Sequence, residues 1–149
     1  MPKIIRVLLA EDNPGDVFLI EEALAQNGVP HSTTVASDGQ KAWQLIESAE
    51  DPATGGFDFF ILDFNLPLRS GVELATRIRS STGEVARAPI LIASSSNAPR
   101  DRQAAETAGA NSYFCKPSNL EAFIALGGIV KELWSVHCRE LPSGDSGHD

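Results

Sequence analysis

Apolar residues in this chain keep two alternating rhythms: short, mostly apolar runs, and longer stretches in which they return every third or fourth position. The runs predict strands over residues 4–10, 32–36, 57–62, 89–93 and 111–115. The first is apolar apart from Arg6, and the second is a short stretch rich in Thr and Val. The periodic stretches between them predict helices. Asn13-Pro14-Gly15-Asp16 reads as a helix start, with Asn13 as cap, Pro14 at the first helical position and Asp16 at the positive helix end. Val17, Ile20 and Leu24 continue it as an apolar stripe, and Asn27-Gly28 closes it. Asp38-Gly39 opens a second helix with Ala42, Trp43, Ile46 and Ala49 inward. Gly71 leads into a third, with Leu74, Ala75 and Ile78 on its buried side. Asn97-Ala98-Pro99 starts a fourth, facing inward with Ala104, Ala105 and Ala108 and ended by Gly109. Ser118 is the expected cap of a last helix bearing Leu120, Phe123, Ile124, Leu126, Ile129 and Leu133. Gly127-Gly128 falls inside that helix, at roughly 1 kcal/mol per glycine relative to alanine, which calls for a close packing contact or a local bend.

Five strands alternating with five helices specify an α/β fold: a parallel sheet with helices on both faces and right-handed crossovers. The fit is to a doubly wound, flavodoxin-like (βα)5 sheet in strand order 2-1-3-4-5, which makes strands one and three neighbours at the topological switch point. The segments 50–56 and 80–87 are loops. Residues 1–138 read as one domain and 139–149 as a polar, disordered tail, with no internal repeat.

Composition narrows the function. A net charge of −8 with no dense Lys/Arg cluster argues against direct DNA binding and against an anionic membrane surface. No apolar run approaches the roughly 20 residues of a membrane span, and the N-terminus lacks a signal-peptide core, so a cytoplasmic protein is expected. Cys115 and Cys138 have no paired spacing, which favours reduced thiols over a disulfide or a zinc site.

The candidate chemistry sits at strand ends. The apolar run 57–62 stops at Asp63, in the crevice beyond the carboxyl ends where open α/β sheets place their sites. With strands one and three adjacent, Glu11 and Asp12 converge on it. Two carboxylates about 5 Å apart repel by roughly 3 kcal/mol at an effective dielectric of about 20. Three therefore need protonation or a hard cation with oxygen ligands, Mg²⁺ in the first place, and the Asn65 main-chain carbonyl is a further oxygen within reach. Ser94 ends strand four with a hydroxyl and Lys116 ends strand five with an ammonium. Each feature alone has an ordinary reading: a solvated acidic loop, a serine run, a Lys-Pro turn. Together they are the parts for phosphoryl transfer onto Asp63. Tyr113 reads by itself as a half-buried strand aromatic.

The set Glu11-Asp12, Asp63, Ser94, Tyr113 and Lys116-Pro117 resembles the signature of response-regulator receiver domains, over residues 4 to about 134. The resemblance implies a phosphoryl acceptor that assists its own phosphorylation and dephosphorylation but turns over no external substrate. Asp63 would take the phosphoryl group from the phosphohistidine of a sensor histidine kinase. Asp12 would bind Mg²⁺ directly, Glu11 through water, and Asn65 through its carbonyl. Lys116 would pair with the carboxylate and then the phosphoryl oxygens; Ser94 would shift to bond the phosphoryl group and Tyr113 turn inward behind it. No output domain follows, so the signal would leave by protein contact. The loops 50–56 and 80–87 and the Asp12–Asp16 and Lys116–Ser118 segments look like the single-domain regulators partnered with bacterial phytochromes, whose homodimers use the fourth helix, fifth strand and fifth helix. Phe123, Ile129, Leu133 and Trp134 offer apolar surface for such a dimer, or simply pack in the core.

Other readings fit less well. A flavodoxin-type cofactor site needs a phosphate-binding loop after strand one, where Glu11-Asp12 repel anions. A haloacid-type hydrolase needs an aspartate two residues after the nucleophile, where Asn65 stands. A pseudo-receiver adaptor predicts loss of Asp12, Asp63 or Lys116, and all three are present.

Overall fold

The computed structural model of the chain describes residues 3–51, 53 and 56–140. Five parallel strands form one sheet: β1 (Ile5–Ala10), β2 (His31–Ala36), β3 (Phe59–Asp63), β4 (Ile90–Ser94) and β5 (Ser112–Cys115), in the order β2-β1-β3-β4-β5. The order is the expected one, and its cause lies in the strand compositions. Every residue of β3 and β4 is buried, as unbroken apolar runs require when helices cover both faces. At the edge, β2 buries only Ala36 fully, which suits its Ser and Thr content.

The helices are α1 (Pro14–Gln26), α2 (Gly39–Ala49), α3 (Gly71–Arg79), α4 (Pro99–Thr107), α5 (Leu120–Phe123) and α6 (Ala125–Arg139). Leu8, Phe60, Leu62 and Ile92 meet α2 and α3 on one face of the sheet. Val7, Leu9, Phe59, Ile61 and Leu91 meet α1 and α6 on the other. Caps fall largely where capping residues stand. Asn13 Oδ1 accepts from Gly15 N–H (2.8 Å) and Asp16 N–H (3.3 Å), and Asp38 Oδ1 accepts from Lys41 N–H (2.8 Å). Ser70 and Glu73 cap α3 reciprocally. Asn119, not Ser118, caps α5, accepting from Ala122 N–H at 2.8 Å.

The last helix is interrupted at Ile124. The Asn27 side-chain amide, at the end of α1, donates to both Ala23 O (2.8 Å) and Ile124 O (2.9 Å), and the latter also accepts from Gly127 N–H (3.1 Å). Three residues on, a Cβ at Gly127 would lie 2.1 Å from Ala23 O, so α6 crosses α1 at backbone contact. The close contact expected of Gly127 is thus present, and the break precedes the glycine pair. Phe123 is buried in the core, while Ile129, Leu133 and Trp134 pack partly buried against the same layer. The apolar surface anticipated for a dimer is therefore largely covered within the chain. On α4 only Ala105 is fully buried.

The 80–87 connection contains a 3-10 turn, Gly83–Arg87, with Val85 buried. Arg79 organises it, donating to Ala86 O (3.0 Å), Ala88 O (2.7 Å), Gly109 O (3.0 Å) and Asn111 Oδ1 (2.8 Å). Residues 52, 54 and 55 of the 50–56 loop and residues 141–149 of the expected tail lie outside the described residues. Among the described residues no helix is long and apolar enough to cross a membrane.

Candidate functional site

The sheet order delivers the acidic residues to one edge. Ala10 pairs with Leu62 across β1 and β3, so Glu11 leaves β1 level with Asp63 at the end of β3. Glu11 is 2% exposed and Asp63 8%, whereas Asp12 faces solvent. Carboxylate oxygens of the three lie within 4.8 Å of one another. β4 and β5 bring the remaining groups: Ser94, fully buried, pairs with Cys115, and Lys116 follows. Lys116 N–H donates to Ser94 O at 2.7 Å, which fixes the start of its side chain.

Lys116 Nζ is the cation at the centre. It lies 2.9 Å from Glu11 Oε1, 2.8 Å from Asp16 Oδ2 and 3.4 Å from Asp63 Oδ1. Asp16 is the participant that the sequence reading missed, having taken it only as a charge on the helix end. Nothing near Asp16 in the chain points to a lysine one hundred residues away.

Burial controls the titration. It pushes the Glu11 carboxyl up to about 7, against the lowering effect of its Lys116 hydrogen bond, and the Asp63 charge adds to the rise. Burial also raises Asp63, opposed by Lys116, Glu11 and the Asn65 backbone N–H, which bonds to the carboxylate. Burial alone would lower Lys116, but Asp16, Glu11 and Asp63 outweigh it and hold the ammonium above the usual lysine value. Three carboxyl groups (Glu11, Asp16 and Asp63) thus surround one ammonium, and Asp12 lies beside two of them. A cleft with that excess of oxygen donors, one of them on solvent-facing Asp12, fits a hard divalent cation that keeps part of its water shell.

Two backbone approaches hold Asp63 in place. A Cβ on Gly71, at the start of α3, would lie 2.4 Å from Asp63 O. Beyond it, Gly39 N–H donates to Pro67 O (2.9 Å), and the Arg69 guanidinium stacks 4.0 Å from the Trp43 ring centroid. This clamps the β3–α3 loop to α2 on either side of Leu68, whose φ of 74° is the only positive value at a non-glycine among the described residues.

Tyr113 is half-buried, as a strand aromatic, and packs against the core. Its hydroxyl donates to Ser96 O at 2.8 Å, while Ser94 Oγ accepts from Ser96 N–H at 3.0 Å. The two residues paired by the sequence reading therefore meet through Ser96, a residue it left as part of a serine run.

Comparison with known proteins matches residues 7–126 to the response regulator receiver domain. The transcriptional regulatory protein TrcR of Mycobacterium tuberculosis is 34% identical over 128 residues, which are 85% of this chain and 46% of that protein. This chain spans less than half the length of several such relatives, down to 14% of one. Response regulator Rcp1 of Synechocystis is 26% identical over 134 residues, 89% of each chain. Among solved structures, the phosphorylated cyanobacterial phytochrome response regulator RcpA superposes with a TM-score of 0.76 at 30% identity, covering 89% of this chain and 94% of that one. The receiver domain of the sensor histidine kinase PA1611 of Pseudomonas aeruginosa, with a magnesium ion coordinated in its active-site cleft, gives 0.69 at 27% identity, covering 89% and 99%.

Proposed function

The chain belongs to the response regulator receiver family, and from that premise we propose that Asp63 accepts a phosphoryl group from the phosphohistidine of a sensor histidine kinase. An Asp63 carboxylate oxygen attacks phosphorus while the phosphorus–nitrogen bond breaks. The electron pair leaves with the imidazole, which takes a proton from solvent, and an acyl phosphate remains on Asp63. The observation that carries the reading is Lys116 Nζ at 3.4 Å from Asp63 Oδ1, inside a carboxylate-rich cleft.

Lys116 neutralises first the carboxylate and then the phosphoryl oxygens. Asp12, Asp63 and the Asn65 carbonyl would hold Mg²⁺ directly and Glu11 through water; the bound ion would supply charge neutralisation at the phosphoryl oxygens. Burial disfavours the charged form of Glu11, which eases the crowding of negative charge in the cleft. Ser94 hydrogen-bonds the phosphoryl group, and Tyr113 transmits the change to the α4–β5 face, where a partner protein reads it in the cytoplasm.

The test is intact mass after incubation with acetyl phosphate, with and without Mg²⁺, beside Asp63→Asn. One Mg²⁺-dependent phosphoryl adduct, missing in the variant, is expected. An adduct of equal yield in Asp63→Asn defeats the assignment.

A narrower part of the proposal is a bacteriophytochrome as the kinase, supported by the likeness to RcpA and Rcp1. Faster phosphotransfer from such a kinase than from an unrelated one is its test. Homodimerisation through α4, β5 and α6 belongs to the same reading, and sedimentation with and without beryllofluoride decides it.

A further inference from the structure

One residue ties the loop between β4 and α4 together. Ser96 donates its backbone N–H to Ser94 Oγ (3.0 Å) and offers its carbonyl to the Tyr113 hydroxyl (2.8 Å). Its own hydroxyl donates to Asp101, in the first turn of α4, and accepts from Ala98 N–H (3.1 Å). Asp101 therefore fixes the orientation of both Ser96 backbone groups.

The next residue, Arg102, closes the arrangement from outside. Its guanidinium lies 4.8 Å from the Tyr113 ring centroid, and its Nε and Nη2 donate to Asn97 Oδ1 at 3.3 and 3.2 Å. Phe64, the residue after Asp63, meets the Tyr113 ring in a T-shaped contact at 6.3 Å. The Tyr113 hydroxyl, ring face and ring edge are each engaged by the chain itself, and the ring packs on the core.

We infer that Arg102 is a positioning residue for Tyr113: with Ser96 and Asp101 it holds the ring inward by contacts the chain supplies, so that the α4–β5 face is preset and phosphorylation tightens it through Ser94. The inference rests on the proposed roles of Ser94 and Tyr113. It makes the inward ring the resting arrangement rather than a product of phosphorylation. A guanidinium stacked on a half-exposed ring shifts such a balance by about 2- to 5-fold.

The chain contains a single tyrosine, so 3-fluorotyrosine labels Tyr113 alone. The ¹⁹F resonance of the free wild-type protein is expected far from its position in urea and close to its position with beryllofluoride and Mg²⁺. Arg102→Ala should move the free resonance toward the urea position, with a roughly 2- to 5-fold larger outward fraction. Arg102→Lys, which keeps the cation and loses the stacked plane, should fall between. Asp101→Asn, which loosens Ser96 without touching the ring, should shift it in the same direction and covers the case of an unfolded Arg102→Ala. A wild-type resonance that starts at the exposed position and moves on beryllofluoride overturns the inference. So does an Arg102→Ala resonance identical to wild type. These free-protein readings need no phosphoryl chemistry, so they stand apart from the acetyl phosphate test of Asp63.

Discussion

Lys116 Nζ is closer to Asp16 Oδ2, at 2.8 Å, than to Asp63 Oδ1, at 3.4 Å. The lysine is thus shared between the proposed acceptor and a carboxylate on α1, and its grip on Asp63 depends on how much charge Asp16 draws. Asp16→Asn should release the ammonium toward Asp63 and raise the initial rate of acetyl phosphate labelling by roughly 2- to 5-fold, the yield of about 0.5–1 kcal/mol from one rebalanced, partly exposed charge contact. A rate unchanged or lowered would mean that Asp16 positions the lysine rather than competing for it. Intact-mass time courses measure this directly.

Asp63→Asn should unfold at higher denaturant than wild type at neutral pH. Burial raises the Asp63 carboxyl, so its ionised form is an unfavourable guest in the fold, and a neutral amide of the same shape removes a cost on the order of 1 kcal/mol. Urea midpoints in EDTA at pH 7 check the sign.

Gly71→Ala and Gly127→Ala form a diagnostic pair. Each places a Cβ against a backbone oxygen, 2.4 Å from Asp63 O and 2.1 Å from Ala23 O respectively, and each should cost about 1–3 kcal/mol of stability. Only Gly71→Ala should also slow labelling, because only it pushes on the backbone of Asp63. Equal slowing in both would reduce the Gly71 contact to a matter of stability.

Asp58 supplies the acid limb. Burial would raise its carboxyl, but the Arg6 side chain, the Arg6 backbone N–H and Lys3 outweigh that and hold it below the usual aspartate value. A depressed carboxyl contributes stability that is complete above its unfolded value and is lost as pH falls through the folded one. Asp58→Asn should therefore lose about 1–3 kcal/mol at pH 7 and show a flatter decline of stability below pH 4. Urea titrations from pH 7 to pH 2 measure both effects.

The sheet and its site were legible because they are written in strong, local signals. Unbroken apolar runs such as Phe59–Leu62 have one good home, a strand covered on both faces, and the residues that interrupt them mark the edge where chemistry collects. What escaped depends on distance or on near-equal choices. Asp16 and Lys116 are one hundred residues apart. Ser118 and Asn119 are both good caps, and one hydrogen bond to Ala122 decides between them. The break at Ile124 coincides with a contact from Asn27, whose amide reaches across from another helix. Alanines leave almost no amphipathic stripe, so the depth of Ala104 and Ala108 could not be read from their spacing. Ser96 looked like the middle of a polar run, although both of its backbone groups are engaged.

Arg79 joins the end of α3, the 3-10 turn and the approaches to β4 and β5 through four acceptors, one of which, Asn111 Oδ1, also receives Ile90 N–H. Losing any one of these contacts would leave a charged, half-buried guanidinium short of a partner. Residues 79–111 should therefore open as one cooperative piece in amide exchange, whereas the opposite edge, β2, is held to the sheet through its ladder with β1 and should exchange more gradually. On this account one edge would yield gradually and the other all at once, and Asp63, on the central strand, stands between them.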